Sequence, residues 1–112
     1  MEFTNLEKSA IIRVLTDIML ADGVIDPGEK SYLIQIFGVL NTNKTILDKV
    51  KTIKVSESLA ILSQMSDINK TALALMMQQM IEADNDIDEK EMEIFFVVFA
   101  GAGIPLPDNL KK

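Results

Sequence analysis

The 112-residue chain has the length of one domain, and its 48% hydrophobic and 25% charged residues indicate a folded protein. It contains no cysteine and no histidine, which excludes disulfides, thiolate metal sites, cysteine nucleophiles and the commonest general base. A bound metal would need oxygen ligands, as calcium, magnesium or manganese do. The net charge of −6 disfavours nucleic acid as a partner.

The first predicted helix begins at a capping box, Thr4-Asn5-Leu6-Glu7, and runs to about Leu20. Apolar residues recur behind the box at spacings of three and four, which is typical of one broad buried face. The members of this face are Leu6, Ala10, Ile11, Val14, Leu15, Ile18 and Met19.

Three further helices are predicted up to residue 65. The second starts at Pro27, which suits a first helical position, and extends to about Leu40. A short helix from about Asn43 to Ile53 follows, and Ser56 is the expected cap of the next. The predicted buried stripe of the second helix is Leu33, Ile34, Ile36, Phe37 and Leu40.

The fifth predicted helix is long. Ser66 or Asp67 should cap it, and it should reach about Ala83. Its expected apolar positions are Ile68, Ala72, Leu75, Met76, Met80 and Ala83.

The last predicted helix covers about Glu89–Ala100, and Gly101 and Gly103 should end it. Its segment "IFFVVFAG" at 94–101 is apolar on all faces. We therefore expect a central, fully buried helix, with a face that covers a partner as the alternative. The tail at 105–112 is expected to be flexible.

An internal repeat relates the two halves of the chain. The pattern A-D-[GN]-x-I-D-x-x-E occurs at 21–29 and again at 83–91, each time between two helices. The sequence therefore predicts a single all-α domain at 1–112, a compact bundle of about six helices. Its two helix–loop–helix units, at about 5–40 and 66–101, should be related by pseudo-twofold symmetry.

Helix capping explains part of this pattern. In each copy the second aspartate can be an N-cap, and the glutamate three residues later can complete a capping box. Capping does not explain Asp22 or Asp84, which end the preceding helix at its negative pole. The residues that capping accounts for are Asp26, Glu29, Asp88 and Glu91.

Each copy also resembles the second half of an EF-hand loop, with the first half missing. One half-loop has too few oxygens for the roughly six to eight that calcium takes, but two together could supply more. A divalent cation site and a solvated, capping acidic turn both remain open. The candidate metal ligands are Asp22, Asp26, Glu29, Asp84, Asp86, Asp88 and Glu91.

Over about residues 5–104, the segments "LTDIMLADGVIDPGEKSYLIQIF" and "MMQQMIEADNDIDEKEMEIFFVVFAGAGI" resemble the tellurite-resistance TerB-like family. The resemblance implies a pseudo-twofold helical bundle with a cluster of loop acids, for which divalent-metal binding has been proposed. It also implies a role in stress responses, within membrane-associated complexes. Asn85 replaces the second-loop glycine, which the turn tolerates. Val24 stands at a position that is often polar in the family, whereas Asp86 adds a charge, so the second loop is the better candidate for metal.

No phosphate-binding loop or cofactor motif is present, so we expect a non-catalytic interaction module with Ca2+ or another divalent cation in its acidic loops. The alternatives are a metal-free helical adaptor and, more remotely, a metal-dependent hydrolase. The expected partners are other proteins, including a membrane-associated complex, and the chain itself should be a monomer or weak homodimer. With neither a signal peptide nor an apolar run of about 20 residues, it should be cytoplasmic and not inserted in a membrane.

Overall fold

Helices make up most of the chain that the structure describes. The structure is a computed structural model, and it describes residues 2–21, 23, 27–82 and 89–104. Within these ranges there are six α-helices and no strand, which confirms the predicted all-α bundle. The helices are α1 (Asn5–Met19), α2 (Pro27–Val39), α3 (Lys44–Thr52), α4 (Val55–Ser63), α5 (Asp67–Glu82) and α6 (Glu89–Ala102).

Three of the predicted helix starts are confirmed by their capping hydrogen bonds. The Thr4 hydroxyl accepts from the Glu7 N–H at 3.1 Å, and the Glu7 carboxylate accepts from the Thr4 N–H at 2.8 Å. Asn43 caps α3 and Ser66 caps α5, each accepting from an N–H of the first turn at 3.0 and 3.2 Å. Each bond satisfies a backbone donor that the helix itself leaves without a partner.

The predicted start of α4 is wrong. Ser56 lies inside the helix, which begins at Val55 after an N-cap residue, Lys54, whose side chain makes no capping hydrogen bond. Tertiary contacts fix the chain just before this point. Ile53 is fully buried, and its carbonyl accepts a hydrogen bond from the Arg13 guanidinium at 2.6 Å. This anchoring places the helix start without a side-chain cap.

The predicted end of α6 is also displaced. The helix continues through Gly101 to Ala102 and stops at Gly103, whose φ of +67° is the left-handed conformation that glycine tolerates. Gly101 has a packing role instead. A Cβ atom built there would lie 3.0 Å from Leu59 of α4, so the missing side chain lets the two helices approach closely.

The central helix is α1, which packs against each of the other five helices. The expectation that α6 would be central and buried on all sides is wrong. Its Phe99 is buried, but Phe96 is 40% exposed and Val97 is 57% exposed. Because α1 occupies the middle of the bundle, α6 packs on one side and turns an apolar face to solvent.

Four residues that the sequence placed in buried faces are exposed instead. In α5, Met76 and Met80 are buried as expected, but Leu73 and Met77 complete the core face in place of Ile68 and Leu75. Both sides of α5 carry apolar residues, so periodicity alone did not show which side faces the core. The four exposed residues are Leu6, Ile34, Ile68 and Leu75.

Candidate functional site

The first acidic loop begins with a left-handed turn at Gly23. The N–H of Gly23 donates to the carbonyl of Leu20 at 3.0 Å, and its φ is +79°. A Cβ atom at Gly23 would meet nothing within 4 Å, so the requirement for glycine is conformational and not steric. The repeat pattern predicted this conformation at Gly23, and it turns the chain away from the axis of α1.

Glu29 is the candidate ligand whose side chain the structure describes, and it is fully buried in the first turn of α2. Glu7 occupies the same third position in α1, but it lies at the surface, where it completes the capping box. A capping glutamate can therefore remain in contact with water in this fold. Burying a carboxylate costs free energy unless positive or donor groups surround it. The positive pole of α2 is one source of such compensation for Glu29.

The other candidate ligands cannot be placed. Glu91 belongs to α6, although its side chain lies outside the described residues. In the part of the chain that the structure does describe, no three acidic side chains are grouped so that they could hold an ion. The metal-site prediction therefore stays a prediction. The candidates wholly outside the described residues are Asp22, Asp26, Asp84, Asp86 and Asp88.

A hydrogen bond joins the helix that leaves the first acidic loop to the helix that enters the second. The Tyr32 hydroxyl of α2 donates to the Gln79 side-chain carbonyl of α5 at 2.9 Å. Tyr32 stands five residues after Pro27, and Gln79 stands three residues before Glu82, the last residue of α5. At about 1.5 Å per residue, both helix ends lie within about 8 Å of this contact along their axes.

A cleft lies beside these two helices and the N-terminal segment of the chain. It has a volume of about 460 Å³, and its lining includes Val39 at the end of α2, Leu40 just after it, and Met76 from α5. The start of α2 and the end of α5 both lie near the contact between Tyr32 and Gln79.

Sequence reasoning missed the contact between Tyr32 and Gln79. Neither residue belongs to the acidic pattern, and a pairing 47 residues apart leaves no signal in a single sequence. Partial burial raises the pKa of the Tyr32 phenol, because the neutral form loses less on leaving water. Tyr32 is also the one tyrosine of a chain without tryptophan, so its spectrum reports on this site.

Two exposed apolar surfaces lie outside the acidic loops. On α5, Ile68 and Leu75 line an open groove of about 410 Å³ with Thr71 and Ala72 between them. The second surface, which we call the α6 face, consists of Phe96, Val97 and Ala100. Exposed apolar surfaces of this kind are common at sites of protein association.

The described residues form an all-helical domain. None of the described helices is long and apolar enough to cross a membrane. No protein-family model matches the chain, and none of the curated proteins is detectably similar to it in sequence. A crystal structure of a protein of unknown function from Porphyromonas gingivalis W83 has the same fold, with a TM-score of 0.80. The match covers 96% of this chain and 90% of that one at 24% identity, so the likeness concerns the fold alone.

Proposed function

We propose that this chain is a non-catalytic, stress-response-associated interaction module of the TerB-like kind, whose two acidic loops bind one divalent cation. Calcium is the first candidate, because every candidate ligand is a carboxylate. The protein partners of such a module would include a membrane-associated complex. The family resemblance supplies the stress association, and the buried carboxylate supplies the chemical argument.

The observation that carries the proposal is the complete burial of Glu29. The comparison with the surface glutamate Glu7 indicates that capping a helix does not require burial here. Water screens a fully buried carboxylate less than a surface one, so Glu29 would strengthen the attraction for a cation bound by Asp22 and Asp26, its neighbours in sequence.

The proximity of the two helix ends supports a site shared between the loops. The hydrogen bond from Tyr32 to Gln79 joins α2 and α5 within about 8 Å, along each axis, of the start of α2 and the end of α5. The first loop leads into α2 and the second follows α5, so this region is where a site shared between the loops would lie. A site shared by the two loops would supply more oxygen ligands than either half-loop can supply alone.

A metal-free helical adaptor is the second candidate, and one observation favours it. Glu29 stands at the third position of a helix that begins at Pro27, which is where a capping-box glutamate belongs. In that case the acidic loops only cap helices, and the apolar surfaces carry the whole function.

Thermal unfolding in the presence of calcium or magnesium distinguishes these candidates. The cation-binding module should gain stability in a saturable way, by about 2.7 kcal/mol when the cation is a hundredfold above its dissociation constant. Glu29→Gln keeps the shape of the side chain and removes the charge, so it should abolish this gain. Glu7→Gln is the matched control, because it changes the same helix position at the surface, and it should retain the full gain.

Asp22→Asn combined with Asp84→Asn gives a second test of the same site, since these acids have no capping role. The double variant should fold and should lose the response to the cation. A wild-type protein that gains no stability from millimolar calcium or magnesium would refute the cation site and leave the metal-free adaptor.

A further inference from the structure

The α6 face has a negative charge at its N-terminal end and a positive charge at its C-terminal end. Glu93 is exposed at its N-terminal end. At its C-terminal end stands the ammonium group of Lys70 from α5, which would lie 3.5 Å from a Cβ atom built on Gly103. Between them lie Phe96, Val97 and Ala100, all exposed. The surface is thus an apolar centre with an acidic end and a basic end.

These groups are spaced symmetrically along the helix. Glu93 and Gly103 are ten residues apart, or about 15 Å, and the midpoint between them is Val98. The three apolar residues of the α6 face are centred on the same position. A twofold axis passing near Val98 would therefore place each acidic end opposite a basic end. In a parallel pairing, by contrast, like charges would face each other.

We infer that the α6 face binds a second copy of this chain, with the two α6 helices antiparallel. The apolar side chains of the two copies pack at the centre, and Glu93 of each copy forms an ion pair with Lys70 of the other. An isologous interface needs a surface that is complementary to itself, and this arrangement of charges meets that condition in one orientation. The small side chain of Ala100 allows the helices to approach closely.

The exposed area sets the strength of this dimer. Phe96 and Val97 are only 40% and 57% exposed, so the apolar centre is far smaller than the roughly 800 Å² per partner of a standard stable interface. Each copy also carries a net charge of −6, and the two copies repel each other. The dimer is therefore weak and forms only at high protein concentration.

Sedimentation velocity of the full chain, from micromolar to millimolar concentration, tests this inference. The wild-type sedimentation coefficient should rise from that of a monomer towards that of a dimer. Val97→Asp places a charge in the centre of the interface and should weaken association by at least about tenfold. Ile68→Asp makes the same kind of change at an exposed apolar position on α5 and should leave association unchanged.

A charge exchange tests the pairing without altering the apolar centre. Glu93→Lys and Lys70→Glu should each weaken self-association, because each puts like charges together twice. An equimolar mixture of these two variants should associate again, since opposite charges then face each other at both ends. This recovery is readable even if Val97→Asp fails to fold.

Three results would overturn the inference. They are a wild-type protein that stays monomeric at every concentration, an Ile68→Asp variant that loses association while Val97→Asp keeps it, and a mixture of the exchanged variants that fails to recover. Vesicles of neutral and anionic phospholipid provide a further check. If the monomer binds them through Val97 and does not self-associate, the α6 face is a lipid-binding surface and the dimer is wrong.

Discussion

Two phenylalanines of α6, three residues apart, provide a direct test of how this helix packs. Phe99 is 1% exposed and Phe96 is 40% exposed. We expect Phe99→Ala to lower the free energy of unfolding by about 3–5 kcal/mol, the sum of a lost transfer free energy and a cavity. Phe96→Ala opens no closed cavity. Because Phe96 is about three fifths buried, the substitution should lose about three fifths of the roughly 1.5–3 kcal/mol that complete burial of such a side chain contributes. The free energy of unfolding should then fall by about 1–2 kcal/mol.

Urea unfolding followed by far-ultraviolet circular dichroism measures both values. Each substitution introduces alanine inside α6, so the change in helix propensity is similar in the two variants and cancels in their difference. Low micromolar protein keeps the chain monomeric, so self-association does not add to the stability of Phe96. The two midpoints can be compared directly if the slopes with urea agree.

The test compares the loss of unfolding free energy in Phe99→Ala with the loss in Phe96→Ala. Equal losses, or a larger loss for Phe96→Ala, would mean that α6 is buried on both sides. That result would refute the one-sided packing of α6, and with it the exposure on which the α6 face depends.

Two further predictions concern Tyr32 and the helical glycines. Because the Tyr32 pKa is raised in the folded protein, the unfolded chain ionises first. The stability that Tyr32 contributes should be complete below about pH 10 and lost as the pH rises through the folded-state pKa, whereas Tyr32→Phe should not show this loss. Phenolate absorbance follows the titration, and a folded-state midpoint at or below that of the denatured chain would contradict it. Gly38→Ala should stabilise α2 by about 0.5–1 kcal/mol, because a Cβ atom there meets nothing within 4 Å. Gly101→Ala should be less favourable by about 1 kcal/mol, because its Cβ would crowd Leu59 at 3.0 Å, and equal gains in urea unfolding would contradict this.

Local chemistry predicted much of the fold. The capping box at Thr4 and the capping side chains of Asn43 and Ser66 fixed three helix starts, because each satisfies donors within its own first turn. The left-handed conformation of Gly103 likewise ends α6. Such features depend on residues a few positions apart, which is the information that a single sequence contains.

Tertiary packing determines the features of the fold that were not predicted from the sequence. Leu75 has the same periodicity as a core residue, yet it is 54% exposed because Leu73 and Met77 turn the other side of α5 inwards. The start of α4 is set by Arg13, which holds the carbonyl of Ile53 from forty residues away. The buried side of α5 and the start of α4 both depend on which helices pack against each other.

The candidate site was predicted only in part. The acidic repeat pointed to Glu29, but its complete burial in the first turn of α2 was not evident from the spacing of the acids. The hydrogen bond between Tyr32 and Gln79 joins a helix of the first repeat unit to a helix of the second, and the acidic pattern gave no sign of it. Pseudo-twofold symmetry of the two units stays a prediction.

The most direct test of the account is a calcium titration of the isotopically labelled protein, followed by amide resonances in two-dimensional NMR. The account predicts that amides at 22–29 and 84–91 shift along one common, saturable curve, because both loops bind the same ion. The Tyr32 and Gln79 amides should follow that curve to a smaller extent. Amides that do not move at millimolar calcium, or loops that titrate on two independent curves, would contradict the shared cation site.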